Sequence, residues 1–154
     1  MAQCFLGNCY FSGRGVDKNV ENAVRWLQKS AEQDNSIAQR DLAFSYLKGD
    51  GVEKDVIEAV KWFRVLAEKG YSEAQLNLGV IFLVGNDVEK DVVEGVKWLY
   101  KAAEQGEPNA QFFLAICYIN GEGVEKNMSI AVDWLQKAAE QGYEDAINLL
   151  NSLS

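Results

Sequence analysis

The 154-residue sequence contains no histidine, one proline and three cysteines. Without histidine the chain lacks the commonest general base, the Ser-His-Asp triad and the imidazole ligands of most zinc sites. A single proline leaves room for uninterrupted helices, and no apolar run reaches the roughly 20 residues that a membrane-spanning helix needs. We therefore expect no cofactor, no metal site and no membrane insertion.

Net charge narrows the class of partner. The formal net charge is −8 and the sequence pI is about 4.6, so phosphate backbones and anionic lipids repel the chain. We expect a protein or peptide partner and no nucleic acid. The cysteines are odd in number; Cys4 and Cys9 fall on different faces of one predicted helix, and Cys117 lies three repeats from Cys9. All three are expected to be small apolar side chains of helices.

One segment of the sequence occurs four times. Its near-copies begin at Gly13, Gly49, Gly85 and Gly121, and the four tryptophans keep the same spacing at Trp26, Trp62, Trp98 and Trp134. The period is 36 residues without insertion or deletion. A fixed period of this size predicts a stacked array of repeats.

The first helix of each repeat, called helix A, is represented by the segment that starts at Ser36. Its predicted buried stripe has helical spacing and consists of Ala38, Leu42, Ala43, Tyr46 and Leu47. Gly49 is placed to end this helix in the left-handed conformation.

The second helix of each repeat, helix B, begins after a short loop. Asp55 is predicted to cap its first turn, with Glu58 completing a capping box; Asp91 and Glu94 repeat the arrangement, and Asn19 and Asn127 keep the cap alone. The predicted buried stripe of helix B consists of Ala59, Trp62, Phe63, Leu66 and Ala67.

No helix pair can cover its own apolar stripe, so pairs must stack on one another. The predicted fold is all-α, a right-handed α/α superhelix (solenoid) of about four and a half 36-residue helix-pair repeats. We expect one domain over residues 1–154, with repeats at 1–35, 36–71, 72–107 and 108–143 and a closing helix at 144–154.

The repeat resembles the Sel1-like repeat, a relative of the tetratricopeptide repeat. The matching residues are Ala110, Leu114, Tyr118, Gly121, Gly123, Val124, Ala131 and Trp134, with KAAEQG at 101–106 and 137–142. Asp34 and Asp87 depart from the pattern, because each replaces a glycine and must enter the left-handed region at a cost of about 1 kcal/mol. The resemblance implies a scaffold or adaptor that brings other proteins together.

The outward side of the A helices is the candidate partner-binding surface, since this side lines the concave face of such solenoids. The candidate residues are Arg40, Phe44, Lys48, Leu76, Val80, Phe112, Phe113 and Ile116. We expect this groove to hold an extended peptide or a helix through apolar anchors. The alternative is that tight curvature buries these side chains. The outer side of the B helices is expected to be polar.

Other interpretations remain open. Ser45 and Lys48 fit the Ser-x-x-Lys motif of penicillin-recognising hydrolases, although the companion motifs are absent and no enzyme activity is expected. The groove or the ends of the stack could instead mediate self-association into a homo-oligomer. One expectation is a soluble protein of the bacterial cytoplasm or periplasm, without a signal peptide in this chain. An excised or engineered fragment is another.

Overall fold

A computed structural model describes residues 2–17 and 19–153; Met1, Lys18 and Ser154 of the predicted domain lie outside the described residues. The described residues form nine α-helices and no strand. The helices are α1 (Ala2–Ser12), α2 (Val20–Ala31), α3 (Ser36–Lys48), α4 (Val56–Glu68), α5 (Ser72–Val84), α6 (Val92–Glu104), α7 (Pro108–Asn120), α8 (Met128–Glu140) and α9 (Glu144–Leu153). They fall into two compact units: unit 1 holds residues 1–68, and unit 2 holds residues 69–154.

The predicted caps of the B helices are confirmed. The side-chain oxygens of Asn19, Asp55, Asp91 and Asn127 each accept a hydrogen bond of 2.9–3.1 Å from the backbone N–H three residues on. The predicted capping box at Asp55 and Glu58 is wrong, because the Asp55 N–H donates instead to the Tyr46 carbonyl at 2.9 Å. The carboxylate of Glu58 pairs with Lys61. The end of helix A therefore satisfies the N–H group that the box would have used.

The A helices end as predicted. Gly49 has a φ of 79°, and its N–H donates to the Ser45 carbonyl. Asp34 and Asp87 also take the left-handed conformation, with φ of 63° and 65°, in the places where the repeat otherwise has glycine. The chain therefore turns in the same way at these points with and without glycine.

Each unit has its own apolar core. Unit 1 buries Cys4, Val24, Leu27, Ala31, Ala38 and Leu42 together. Unit 2 buries a larger set, which includes Val96, Leu99, Ala103, Ala110, Leu114, Cys117, Trp134, Leu135 and Ala146. The predicted role of tryptophan is only partly correct: Trp98 and Trp134 are buried, whereas Trp26 and Trp62 are half-buried. Phe63 and Leu66 occupy the buried centre of α4.

The buried stripe of helix A differs from the predicted one. In α3, Gln39 and Ser45 are buried beside Ala38, Leu42 and Ala43, whereas Tyr46 and Leu47 are half-buried. The physical reason is that α3 contacts both α2 and α4, so helix B of the preceding repeat covers a second side of it. The prediction considered one covered side only.

A buried glutamine joins consecutive repeats. In unit 2, the Gln111 Nε2 donates to the Ala103 carbonyl at 3.1 Å, and its Oε1 accepts from Gln141 at 3.0 Å. Gln39 makes the equivalent bond to the Ala31 carbonyl in unit 1 at 3.1 Å. Buried amides need such partners, because leaving one unpaired costs about 1–3 kcal/mol. The glutamine therefore fixes the register of one repeat on the preceding one.

Two loop glycines permit the loop of one repeat to lie against the preceding helix B. A Cβ atom at Gly51 would stand 2.6 Å from the Val20 carbonyl oxygen, and one at Gly123 would stand 2.5 Å from the Val92 carbonyl oxygen. Gly15 occupies the same loop position in the first repeat, has a similar φ and has no atom within 4 Å of its Cβ direction. The close approach therefore depends on the stacked neighbour.

We predict that Gly51→Ala destabilises the protein more than Gly15→Ala. Both changes impose a left-handed alanine, which costs about 1–2 kcal/mol, but only Gly51→Ala also forces a side chain against backbone, for roughly 1–3 kcal/mol more. Urea unfolding followed by circular dichroism measures both free energies of unfolding. Equal losses for the two variants would contradict the close packing at Gly51.

Candidate functional site

In unit 1, the candidate residues form one row along α3. Arg40 is exposed, and its guanidinium donates to the Asp41 Oδ1 at 2.9 and 3.1 Å. Phe44 is half-buried and meets the ring of Phe63 edge-on, with centroids 5.2 Å apart. The Lys48 Nζ lies 5.5 Å from the centroid of the Phe44 ring. Arg40 is therefore balanced by a neighbouring acid, and the row offers one aromatic side chain beside one lysine.

The Ser-x-x-Lys motif is not assembled as a catalytic pair. Ser45 is buried, and its hydroxyl donates to the Asp41 carbonyl at 3.0 Å. The ammonium group of Lys48 lies over Phe44 instead. A serine nucleophile needs a base within hydrogen-bond reach, so this geometry does not support the hydrolase interpretation.

In unit 2, four candidate residues lie against the same core: Leu76 and Val80 from α5, and Phe112 and Phe113 from α7. We call these four side chains the A-helix patch. Helices α5 and α7 contact each other directly, although α6 separates them in the chain. All four side chains are half-buried, and so is Ile116, one turn beyond Phe112 on α7.

The apolar candidate residues have a burial between the two outcomes that the sequence left open, an exposed groove and side chains buried by curvature. None of the six apolar candidates is fully buried, and none is fully exposed. The structure brings Leu76, Val80, Phe112 and Phe113 together on one core, whereas Arg40, Phe44 and Lys48 form the separate row of unit 1. Each unit thus presents its own part of the predicted surface.

Sequence reasoning missed Tyr143 as a member of this site. Its ring packs against Phe112 with centroids 5.3 Å apart, and Phe112 also meets Phe113 at 5.9 Å. Burial, together with the charge of Asp145, raises the pKa of the Tyr143 hydroxyl. Tyr143 lies between α8 and α9, outside the A helices, so helical spacing alone could not reveal its contact with α7.

The outer side of the B helices is less polar than predicted. Lys61, Lys97 and Lys101 are exposed there as expected, but apolar side chains are exposed on the same helices. They are Ile57, Val65, Val93, Tyr100 and Met128. Lys101 and Lys137 lie over the rings of Trp98 and Trp134, at 4.4 and 4.0 Å from the centroids. Lysine stems and ammonium groups thus cover part of this apolar surface.

In the described part of the chain, no helix is long and apolar enough to cross a lipid bilayer. Within residues 2–17 and 19–153, no three cysteine or acidic side chains come close enough together to ligate a metal ion.

The thiol of Cys117 lies on the buried side of α7. Burial raises its pKa from 9.0 to about 11, and the nearby charge of Glu122 adds to the effect. Cys4, Cys9 and Cys117 are all free and buried. A protonated, buried thiol is a weak nucleophile, which agrees with the prediction of a packing role.

These features define a class of protein, the scaffold fold built from repeated helix pairs. The Sel1 repeat family model matches residues 1–35, 36–71, 72–107 and 108–143. The chain belongs to the Sel1 repeat family. Proteins of this family are generally scaffolds for protein–protein interaction.

Solved structures confirm the predicted all-α repeat fold. The antigen c5321, present in uropathogenic Escherichia coli and described as protective, matches 99% of this chain at 39% identity with a TM-score of 0.93. A Sel1 repeat protein from Oxalobacter formigenes matches 94% of it at 38% identity with a TM-score of 0.88. This chain covers 32% and 60% of their respective lengths.

A curated sequence shares a single repeat with the chain. A sel1-like repeat-containing protein of Acanthamoeba polyphaga mimivirus is 46% identical over 35 residues, which is 23% of this chain and 6% of the viral protein. The chain thus spans a small part of that relative.

We predict that Cys117→Ala reduces the loss of stability at alkaline pH. The thiol ionises near pH 9 in the unfolded chain and near pH 11 in the folded one. Stability must therefore fall as pH rises between these values, by about 1 kcal/mol from pH 8 to pH 10 for this group. Urea unfolding of both proteins at the two pH values measures the difference. An unchanged pH dependence in the variant would show that the folded environment leaves the thiol unperturbed.

Proposed function

We propose that the chain is a protein-interaction scaffold that binds an extended peptide or a helix of a partner on its A helices. In unit 2, the A-helix patch and Ile116 would supply the apolar anchors. In unit 1, Arg40, Phe44 and Lys48 would make further contacts. The net charge of −8 favours a protein partner over nucleic acid.

The observation that carries this proposal is the environment of Phe112. Its ring contacts both Phe113 and Tyr143, yet the side chain remains only half-buried. Aromatic side chains held by their neighbours and still accessible lose little conformational entropy on binding. Such residues supply a large part of the binding energy in protein interfaces.

Self-association is a second candidate, which exposed apolar side chains on α1 and α9 favour. Phe5 is 66% exposed, and Leu153 is 43% exposed. Light scattering over a range of concentrations tests it. A mass that rises with concentration supports self-association, and a constant monomer mass contradicts it.

We predict that Phe112→Ser weakens peptide binding at least about tenfold, because one well-packed aromatic anchor contributes 2 kcal/mol or more. Peptides of about a dozen residues would first be selected from a displayed random library on the unaltered protein. Their affinities for the protein and its variants would then be measured by fluorescence anisotropy.

Tyr100→Ser on α6 is the matched control. Tyr100 is also an accessible aromatic residue with a ring neighbour, since its centroid lies 5.9 Å from that of Trp134. The melting temperature of each variant reports its loss of stability, and only Phe112→Ser should lose affinity while it remains folded. Equal loss of affinity would mean that folding, not the patch, explains the effect, and a loss confined to Tyr100→Ser would move the site to the B helices.

A further inference from the structure

The A helices of unit 2 are α5, α7 and α9, and their charged residues are all acidic. Unit 2 has six basic residues, all lysines and all outside these helices: Lys69, Lys90, Lys97, Lys101, Lys126 and Lys137. The described residues of α5, α7 and α9 include no lysine and no arginine. They contain three acidic ones, Glu73, Glu144 and Asp145.

The acidic residues lie at one end of these helices. Glu73 is in the first turn of α5, and Asp145 occupies the same repeat position in the first turn of α9. Glu107 precedes α7 at the same end, where its Oε1 accepts a hydrogen bond of 3.0 Å from Asn109. Leu76 of the A-helix patch follows Glu73 by three residues, which places it on the same side of α5. An acidic edge therefore borders the apolar patch.

Three lysines of unit 2 make their contacts away from this acidic edge. The Lys90 Nζ pairs with Glu122 at 2.7 Å. Lys101 and Lys137 lie over tryptophan rings of the B helices. Among the described residues, Glu73 and Asp145 form no ion pair. Asp145 hydrogen-bonds to the Tyr143 hydroxyl, but both carboxylates are exposed, so a charged ligand can still reach them.

The aromatic residues connect the edge to the patch. Phe112 packs against Tyr143, and Asp145 hydrogen-bonds to the hydroxyl of Tyr143. Burial, and then the charge and hydrogen bond of Asp145, raise the pKa of that hydroxyl. An aromatic face beside a carboxylate suits arginine, whose planar guanidinium stacks on rings and pairs with acids. Lysine satisfies the same arrangement as a point charge.

We propose that the A-helix patch selects a basic segment of a partner polypeptide, with apolar side chains on the patch and arginine or lysine directed to Glu73 and Asp145. This inference rests on the proposed function, because it names the chemistry of the segment that the scaffold binds. Complementary charge raises the association rate and excludes acidic competitors. The preference must weaken as salt screens the carboxylates.

Two fluorescein-labelled peptides of about twelve residues test the proposal. Both alternate leucine and phenylalanine with a charged residue, which is arginine in one and glutamate in the other. In about 50 mM NaCl, where screening is weak, we expect the arginine peptide to bind at least about tenfold more tightly. Glu73→Gln combined with Asp145→Asn should reduce this ratio several-fold. If the second change lowers the melting temperature, Glu73→Gln alone carries the comparison.

The matched control is Asp133→Asn combined with Glu140→Gln, which removes two exposed carboxylates from α8. It changes the net charge equally and should leave the ratio unchanged. An equal reduction in both double variants would overturn the proposal in favour of non-specific attraction, and a ratio near one in the unaltered protein would overturn it directly. Phe112→Ser distinguishes failure of the charge selection from failure of the patch. If the two peptides bind the unaltered protein equally and both bind Phe112→Ser more weakly, the patch is supported and the charge selection is rejected. If Phe112→Ser binds both peptides as tightly as the unaltered protein does, the patch itself is rejected.

Discussion

Close contact between consecutive helix pairs is the constraint on which this structure depends. The loop at Gly51 lies against the Val20 carbonyl, and the loop at Gly123 lies against the Val92 carbonyl, at distances that leave no room for a side chain. Buried Gln39 and Gln111 bond to the carbonyl groups of the preceding helix B. Within each unit these contacts join one helix pair to the preceding one, and the sequence keeps a period of 36 residues.

The same constraint leaves one side of the A helices without a cover. Helix α7, for example, contacts α6 and α8, and its residues Ala110, Leu114 and Ala115 are fully buried between them. Phe112 and Phe113 lie to one side of this stripe and remain half-buried. Phe112 is held by the rings of Phe113 and Tyr143, so a partner that bound here would meet a preorganised side chain. Preorganisation lowers the entropic cost of binding.

The sequence predicted those features that a single repeat determines. Caps such as Asp55, the helix end at Gly49 and the left-handed Asp34 follow from local chemistry. Features that need a neighbouring repeat were missed: Gln39 is buried because helix B of the preceding repeat covers it, and Trp62 is only half-buried. In the candidate site, helical spacing identified the outward face, but the contact of Phe112 with Tyr143 depends on the next repeat.

Hydrogen–deuterium exchange, with and without the arginine peptide, tests most directly whether the A helices bind the partner. Amide protection reports local opening of each helix, and peptic fragments separate α7 from α6 and α8. The account predicts slower exchange in α5, α7 and the first turn of α9 on binding, with α6 and α8 unchanged. Protection confined to the B helices would contradict it.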